Sequence, residues 1–258
     1  MSAEWIVLPV AFGASALTFF SGFGLGTLLL PAFALFYPIE LAVASTAVVH
    51  FINSLVKLAL VGRQANIGIV LRFGLPAIAA ALVGAWLLTG LANVEPIASY
   101  TVGGLHATVL PAKLIVGGLL FIITLLELSP RFQRVSVPPR YIPVGGALSG
   151  FFGGLSGMQG ALRSAFLIRA GLSKEAFIGT GVVVATFIDL TRLGVYAGSM
   201  QAQRAQLDLM LLGGAVLAAT LGAVAGNRYL KKVTLQTVQR IVGIMLAIVA
   251  VGLMAGVL

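Results

Sequence analysis

Apolar stretches recur along this chain at lengths that suit a bilayer, with polar residues between them. Leu41–Val56, Phe73–Ala92, Leu114–Thr124, Leu207–Asn227 and Ile241–Leu258 are almost free of charge and are bounded by charges or turn residues. A helix rises about 1.5 Å per residue and a bilayer core is about 30 Å thick, so these stretches qualify or nearly qualify as crossings. The longest polar interval is "SPRFQRVSVPPR", Ser129 to Arg140, which leaves no room for a separate soluble domain. One stretch is built differently. "SGFGLGTLLLP", Ser21 to Pro31, interrupts the first apolar run with three glycines and closes with a proline. The arms on either side, Trp5–Phe20 and Thr27–Phe36, rise about 24 Å and 15 Å, each short of a full crossing.

The interruption occurs twice. "SGMQGALRSAF", Ser156 to Phe166, aligns Ser156-Gly157 with Ser21-Gly22 at an offset of 135 residues (156 − 21). The same ungapped offset carries Glu40 onto Glu175 and Lys57 onto Arg192, and lays "AVAST" (42–46) over "FIGTG" (177–181). The chain therefore divides into a first transmembrane repeat, residues 1–130, and a second, residues 131–258, which begins with a cytoplasmic loop. Each repeat reads as a glycine-broken segment followed by three transmembrane helices.

Charge decides how the repeats sit. If each broken segment crosses once, the basic loops near Arg63 and at Arg131–Arg140 fall on the side of the acidic N-terminus, against the positive-inside bias. If each segment enters and returns, the cytoplasmic side collects Lys57, Arg63, Arg72, Arg131, Arg134, Arg140, Arg169, Lys174, Arg228, Lys231 and Lys232. The outer side then keeps Glu4, Glu40, Glu95 and Asp208, with Arg204 as a basic exception. The pattern predicts an all-α polytopic membrane protein of two inverted repeats, each a glycine-broken helical hairpin plus three transmembrane helices. Such repeats with interrupted helices in matching positions point to a secondary transporter with its site near the midplane.

Composition agrees. The chain is 59% hydrophobic and 9% charged, against roughly 25% charged for a soluble domain. The net charge of +9 is explained by basic loops between spans, so nucleic acid is not an expected partner; the lipid bilayer is. Glu4 is the only early charge, so the N-terminal segment reads as a retained helix anchored by Trp5 rather than a cleaved leader. Cysteine is absent, and the two histidines stand 56 residues apart (106 − 50), so no metal or other cofactor is implied. Metalloprotease and nucleophile-elbow signatures are missing, and no carboxylate pair sits at a helical spacing, which argues against an enzyme.

Polar residues inside the spans carry the candidate chemistry. His50 lies ten residues beyond Glu40, about 15 Å along its helix and near the midplane; it reads either as a site residue or as a neutral imidazole bonded across helices. Asn53 and Lys57 share its face, Lys57 near enough to the cytoplasmic end to snorkel, as Arg72 could. Asp189 and Arg192, three apart in "FIDLTRLGVY", read as a local ion pair or as contacts for a coupling ion or substrate. Arg163 follows the second bend directly, with no acid within ten residues. Lys57, Arg163, Arg192 and His50 set against Asp189 favour an anion, and so do helix starts whose free amides face it. Substrate-binding candidates are Ser21, Gly22, Gly24, Gly26, His50, Asn53, Ser156, Gly157, Gln159, Gly160 and Arg163; Asp189, Arg192 and Lys57 are candidates for coupling or ion pairing. Gly117-Gly118 and Gly213-Gly214 lack a mirrored bend and read as helix-packing positions.

"GFGLGTLLLP" with "LAVASTAVVHFINS", and "GGLSGMQGALRSAFLIRAGLSKEAFIGTGVVVATFID", resemble the two copies of the opening segment in the sulfite exporter TauE/SafE family, also called the toluene sulfonate uptake permeases. The resemblance covers essentially the whole chain. It departs where Gly-Leu-Gly replaces a glycine triplet in the first copy. In the second, Met158-Gln159-Gly160-Ala161 and Arg163 stand where glycines and apolar residues precede a proline. The resemblance implies transport of sulfite, organosulfonates or related anions, often outward, through the bacterial cytoplasmic membrane. An anion channel, or a transporter of another small anion such as a carboxylate, is the alternative. A coupling proton or sodium ion is expected, and the oligomeric state stays open, a homodimer among the options.

Overall fold

Starts and stops of the helices are written in local chemistry. Asn66 accepts from the amide of Ile69 at 3.0 Å, Ser173 from Ala176 at 3.2 Å, and Asp208 from Met210 and Leu211 at 2.8 and 3.0 Å. Each side chain satisfies an amide that the first helical turn leaves free. The computed structural model describes residues 3–17, 25–129, 131, 135, 137–229 and 235–258, without the side chains at 102, 105, 227–229 and 235–242.

The helices are α1 (Glu4–Leu17), α2 (Leu25–Ala34), α3 (Ile39–Val61), α4 (Ile67–Leu91), α5 (Pro111–Leu128), α6 (Ile142–Ser156), α7 (Gly160–Leu167), α8 (Lys174–Ala202), α9 (Leu209–Tyr229) and α10 (Leu235–Met254). Among the described residues, α3, α4, α5, α8 and most of α9 are long and apolar enough to cross a membrane. The chain is an all-α polytopic membrane protein. Of the first broken segment, α1 begins one residue before the expected arm and α2 ends two residues before it; residues 18–24 lie outside the described residues.

The uncharged segment from Ala98 to Val109 is an antiparallel hairpin of β1 (Ala98–Val102) and β2 (Leu105–Val109). It clamps the end of α10: Thr108 donates its amide to the Gly256 carbonyl at 2.9 Å, and the Tyr100 hydroxyl donates to the Ala255 carbonyl at 2.6 Å. Nothing in the spacing of apolar residues marks these five-residue strands.

Contacts fix the direction of each helix. Leu8, Phe12 and Ala16 of α1 lie against Gly214, Gly222 and Gly226 of α9, so this pair is parallel. Phe73, Ala77 and Ala81 of α4 lie against Gly146, Gly150 and Gly154 of α6, also parallel. Across the halves, Val61 meets Gly179 and His50 meets Asp189, which makes α3 and α8 antiparallel. Gly117 packs on Ala250 and Leu253 while Leu128 reaches Gly243, which makes α5 and α10 antiparallel as well. Gly117 is thus a packing position, letting two backbones approach as small residues do in membrane bundles.

Those directions decide what the broken segments do. Asn66 and Gly74 meet Thr180 and Val184, so α4, α6 and α8 share one direction. Since α7 links α6 to α8, it runs back. In the first half, the Asp208 amide donates to the Tyr37 hydroxyl at 3.2 Å, which puts the starts of α9 and α3 together. α1, α3 and α9 therefore share a direction, and α2 runs back. Each broken segment is a hairpin that returns to the side it came from. With 14 residues in α1 and 15 in α6, these arms rise about 21–23 Å, less than the thickness of a bilayer core. All ten residues of α2 are buried. Lys113, at the start of α5 and within electrostatic reach of Glu40, joins Arg204 as a basic residue at the end of the bundle that holds Glu40.

Candidate functional site

The two hairpin tips touch. A Cβ on Gly26, in the first turn of α2, would stand 2.5 Å from the carbonyl oxygen of Gly157, far inside contact distance. Gly157 itself has φ +81°, a left-handed conformation that side chains with a Cβ rarely adopt, and its amide closes α6 onto the Gly153 carbonyl at 2.9 Å. Gly26 and Gly157 are there because one backbone reverses at the place where the other passes.

Around this junction lies a chain of buried polar groups, centred on Asp189. His50 Nδ1 stands 2.5 Å from Asp189 Oδ2. Asp189 Oδ1 accepts from Arg192 Nε at 3.0 Å, Arg192 Nη2 at 2.8 Å and Gln159 Nε2 at 3.3 Å. Arg163 Nη1 donates to Gln159 Oε1 at 3.2 Å. The Gln159 amide thus has its nitrogen toward the carboxylate and its oxygen toward a guanidinium, the only sense that satisfies both ends. Asp189 and Arg192 are fully buried, and Gln159 nearly so. Three elements supply the network: α3 gives His50, α8 gives Asp189 and Arg192, and the second tip gives Gln159 and Arg163. Charges at the middle of a membrane protein persist only when paired or bonded, and here each is.

Several expected residues take different parts. Asn53 points to the first hairpin, donating to Ser15 Oγ at 2.5 Å, so it positions α1 from α3. The Ser156 hydroxyl donates to the Phe152 carbonyl one turn back at 2.9 Å. Lys57, expected to snorkel, is half-buried and within electrostatic reach of Arg163, so two cations share the approach to the tip. Arg72 is exposed. Gly160 begins α7, whose first amides lack helical acceptors. Ser21, Gly22 and Gly24 lie outside the described residues.

Three contributors escaped sequence reasoning. Ser149 donates to the Gln159 carbonyl at 3.0 Å and ties the tip to the entering arm. Tyr196 donates its hydroxyl to the Gly154 carbonyl. Ser15 anchors Asn53. Each is a single hydroxyl in an apolar helix, a signal indistinguishable in sequence from ordinary packing. Tyr196 did carry a spacing clue, four residues beyond Arg192 on the same face.

The arrangement sets two guanidiniums and an ammonium against one carboxylate, beside two short helix starts. Its excess charge is positive, so it can hold a small anion. Residues 7–253 match the family model described as sulfite exporter TauE/SafE. No curated protein matches the chain.

Proposed function

The chain belongs to the sulfite exporter TauE/SafE family of membrane transporters, and from that membership we propose that it exports a small sulfur-containing anion, sulfite or an organosulfonate. The anion binds at the midplane where the two hairpin tips meet, between two inverted repeats in a bacterial cytoplasmic membrane. The observation that carries this reading is the contact between Gly26 and Gly157 beside Arg163, Gln159 and the Asp189 network. A site shared by elements from both halves opens to one side or the other as the halves rock, which is what alternating access requires.

Arg163 supplies the fixed charge. Its side chain is half-buried, so it faces the cytoplasmic approach and the interior together, and Lys57 adds attraction beside it. A planar guanidinium offers paired donors to two oxygens of a sulfite or sulfonate. Free amides of the first turns of α2 and α7 add backbone donors. His50 and Asp189 are the groups that carry a coupling proton; a sodium ion is the other coupling candidate.

The direct test is counterflow in proteoliposomes loaded with sulfite, taurine-like sulfonates, sulfate or acetate. Saturable exchange of a sulfur oxyanion supports the reading. Unsaturated flux of all small anions points to a channel, and exchange of acetate alone to a carboxylate carrier.

A further inference from the structure

Arg192 looks fully employed in its ion pair, yet one of its nitrogens is not. Nε and Nη2 both donate to the same oxygen of Asp189, while Nη1, buried with the rest of the side chain, has no hydrogen-bond partner among the described residues. That nitrogen points at the second tip: it lies 2.7 Å from where a Cβ on Gly157 would stand, the residue whose carbonyl meets Gly26. Tyr196 donates its hydroxyl to the Gly154 carbonyl and engages the Arg192 guanidinium with its oxygen, without hydrogen-bond geometry to Nη1.

A second unpartnered group faces the same level. Thr46 is fully buried and its hydroxyl also has no partner among the described residues. It precedes His50 by four residues and so shares its face of α3. Because α3 and α8 are antiparallel with His50 opposite Asp189, one turn outward on α3 is level with one turn further along α8, where Arg192 stands. Buried donors are almost always satisfied, and a cationic one left without an acceptor is the exception that calls for a ligand.

We propose that Arg192 is a direct anion ligand, binding the transported oxyanion through Nη1 at the tip junction, with the Thr46 hydroxyl as a second donor from the opposite helix. This rests on the reading that the junction binds an anion, and it adds what that reading lacks. Arg163 and Lys57 attract the anion from the half-exposed side, whereas Arg192 sits at the dry inner limit. Asp189 then has a defined part: it holds two of the guanidinium donors and leaves the third aimed at the site. A ligand of several oxygens, such as sulfite or a sulfonate, can span Arg163 and Arg192 together; a single-atom anion cannot. A bare Arg192→Ala change would strand the buried Asp189, so the test must remove both charges or keep both.

Binding of sulfite, methanesulfonate, acetate and chloride would be titrated calorimetrically on the full chain in lipid nanodiscs. The comparison is Asp189→Asn against the double variant Asp189→Asn with Arg192→Gln, alongside Thr46→Val and Arg192→Lys in the parent. The expected results are that adding Arg192→Gln weakens sulfite binding about thirtyfold or more, and that Thr46→Val weakens it about three- to tenfold. Arg192→Lys keeps the ion pair, loses the Nη1 fork and should weaken binding about tenfold; it decides the matter if the double variant does not fold. Parent-like sulfite affinity in the double variant, or in Arg192→Lys, overturns the assignment of Arg192 and leaves the transport reading standing. Parent binding of acetate alone, lost on removing Arg192, keeps Arg192 as an anion ligand and overturns the sulfur-anion reading. A parent that binds none of the four anions overturns both.

Discussion

His50 and Asp189 stand 139 residues apart in sequence and 2.5 Å apart in space, each near the middle of its helix. This contact joins α3 to α8, which match each other in the duplication, and so bridges the two halves at their centre. An imidazole and a carboxylate at that separation share a hydrogen, and a proton arriving there alters the pairing of everything bonded to Asp189. The charged groups in reach of His50 are Asp189 and Arg192 across from it and Lys57 on its own helix. A proton on the pair would loosen the hold of Asp189 on Arg192 and Gln159, coupling protonation to the tip.

The first prediction concerns that coupling. His50→Gln and Asp189→Asn should each flatten the pH dependence of sulfite flux into proteoliposomes, because each removes one of the two groups that exchange the proton. Flux should persist at a reduced rate in His50→Gln, since the Asp189–Arg192 ion pair survives. If both variants keep the parent's pH profile, neither group is the carrier, and replacing sodium by potassium becomes the informative measurement.

The second prediction concerns the touching tips. Gly26→Ala places a methyl 2.5 Å from the Gly157 carbonyl, where backbone must move. Forced overpacking of this kind costs about 1–3 kcal/mol. It should lower the melting temperature and weaken anion binding by more than tenfold, without any change in charge. An alanine variant that melts and binds as the parent does would show that the tips separate freely.

How much of this was legible in the sequence differs by kind of signal. α3, α4, α5 and α9 follow from uninterrupted apolar stretches; α8 was missing from those stretches because Asp189 and Arg192 interrupt it, and five rather than six long spans are found among the described residues. The glycine interruptions were visible because they depart from the apolar pattern. Loop charges predicted the return of each interrupted segment, since positive residues mark one side regardless of tertiary detail. Pairing was not. Nothing local says that Gly154 lies on Ala81 or that Asp189 faces His50, because those contacts depend on how the halves dock. The Asp189–Arg192 pair, three residues apart, could be foreseen as an ion pair; its extension through Gln159 to Arg163 could not. The β-hairpin escaped because its strands are short and stabilised by the end of α10 rather than by their own pattern.

The third prediction is topological. The chain has no cysteine, so single cysteines report cleanly. Gln64 lies at the α3–α4 turn and Asn93 just beyond α4, both exposed and at opposite ends of α4. In intact cells an impermeant maleimide should label Asn93→Cys and spare Gln64→Cys until the membrane is opened. The reverse pattern would invert the assignment of every basic loop, and with it the side from which Arg163 and Lys57 receive the anion.

The last prediction separates charge from geometry at the half-exposed end of the site. Among the described residues the Arg163 side chain makes one hydrogen bond, to Gln159, which is itself held by Asp189. The arginine is therefore oriented by an amide and keeps its own charge uncompensated at close range, an arrangement suited to a ligand rather than to stability. Losing a charged contact in a dry site costs about 2–5 kcal/mol, or tens-fold to thousands-fold in affinity. Arg163→Ala should thus bind sulfite too weakly to measure while remaining folded, since no buried carboxylate loses its own direct partner. Arg163→Lys keeps the charge but offers no planar fork, so its affinity should fall between the two. Gln159→Leu keeps both guanidiniums yet releases the orientation of Arg163, and should weaken binding by less than Arg163→Ala does. Titration of the three variants against sulfite, with melting curves alongside, ranks them. If Arg163→Ala folds and binds as tightly as the parent, Arg163 is a structural residue of the second tip and the anion is held without it.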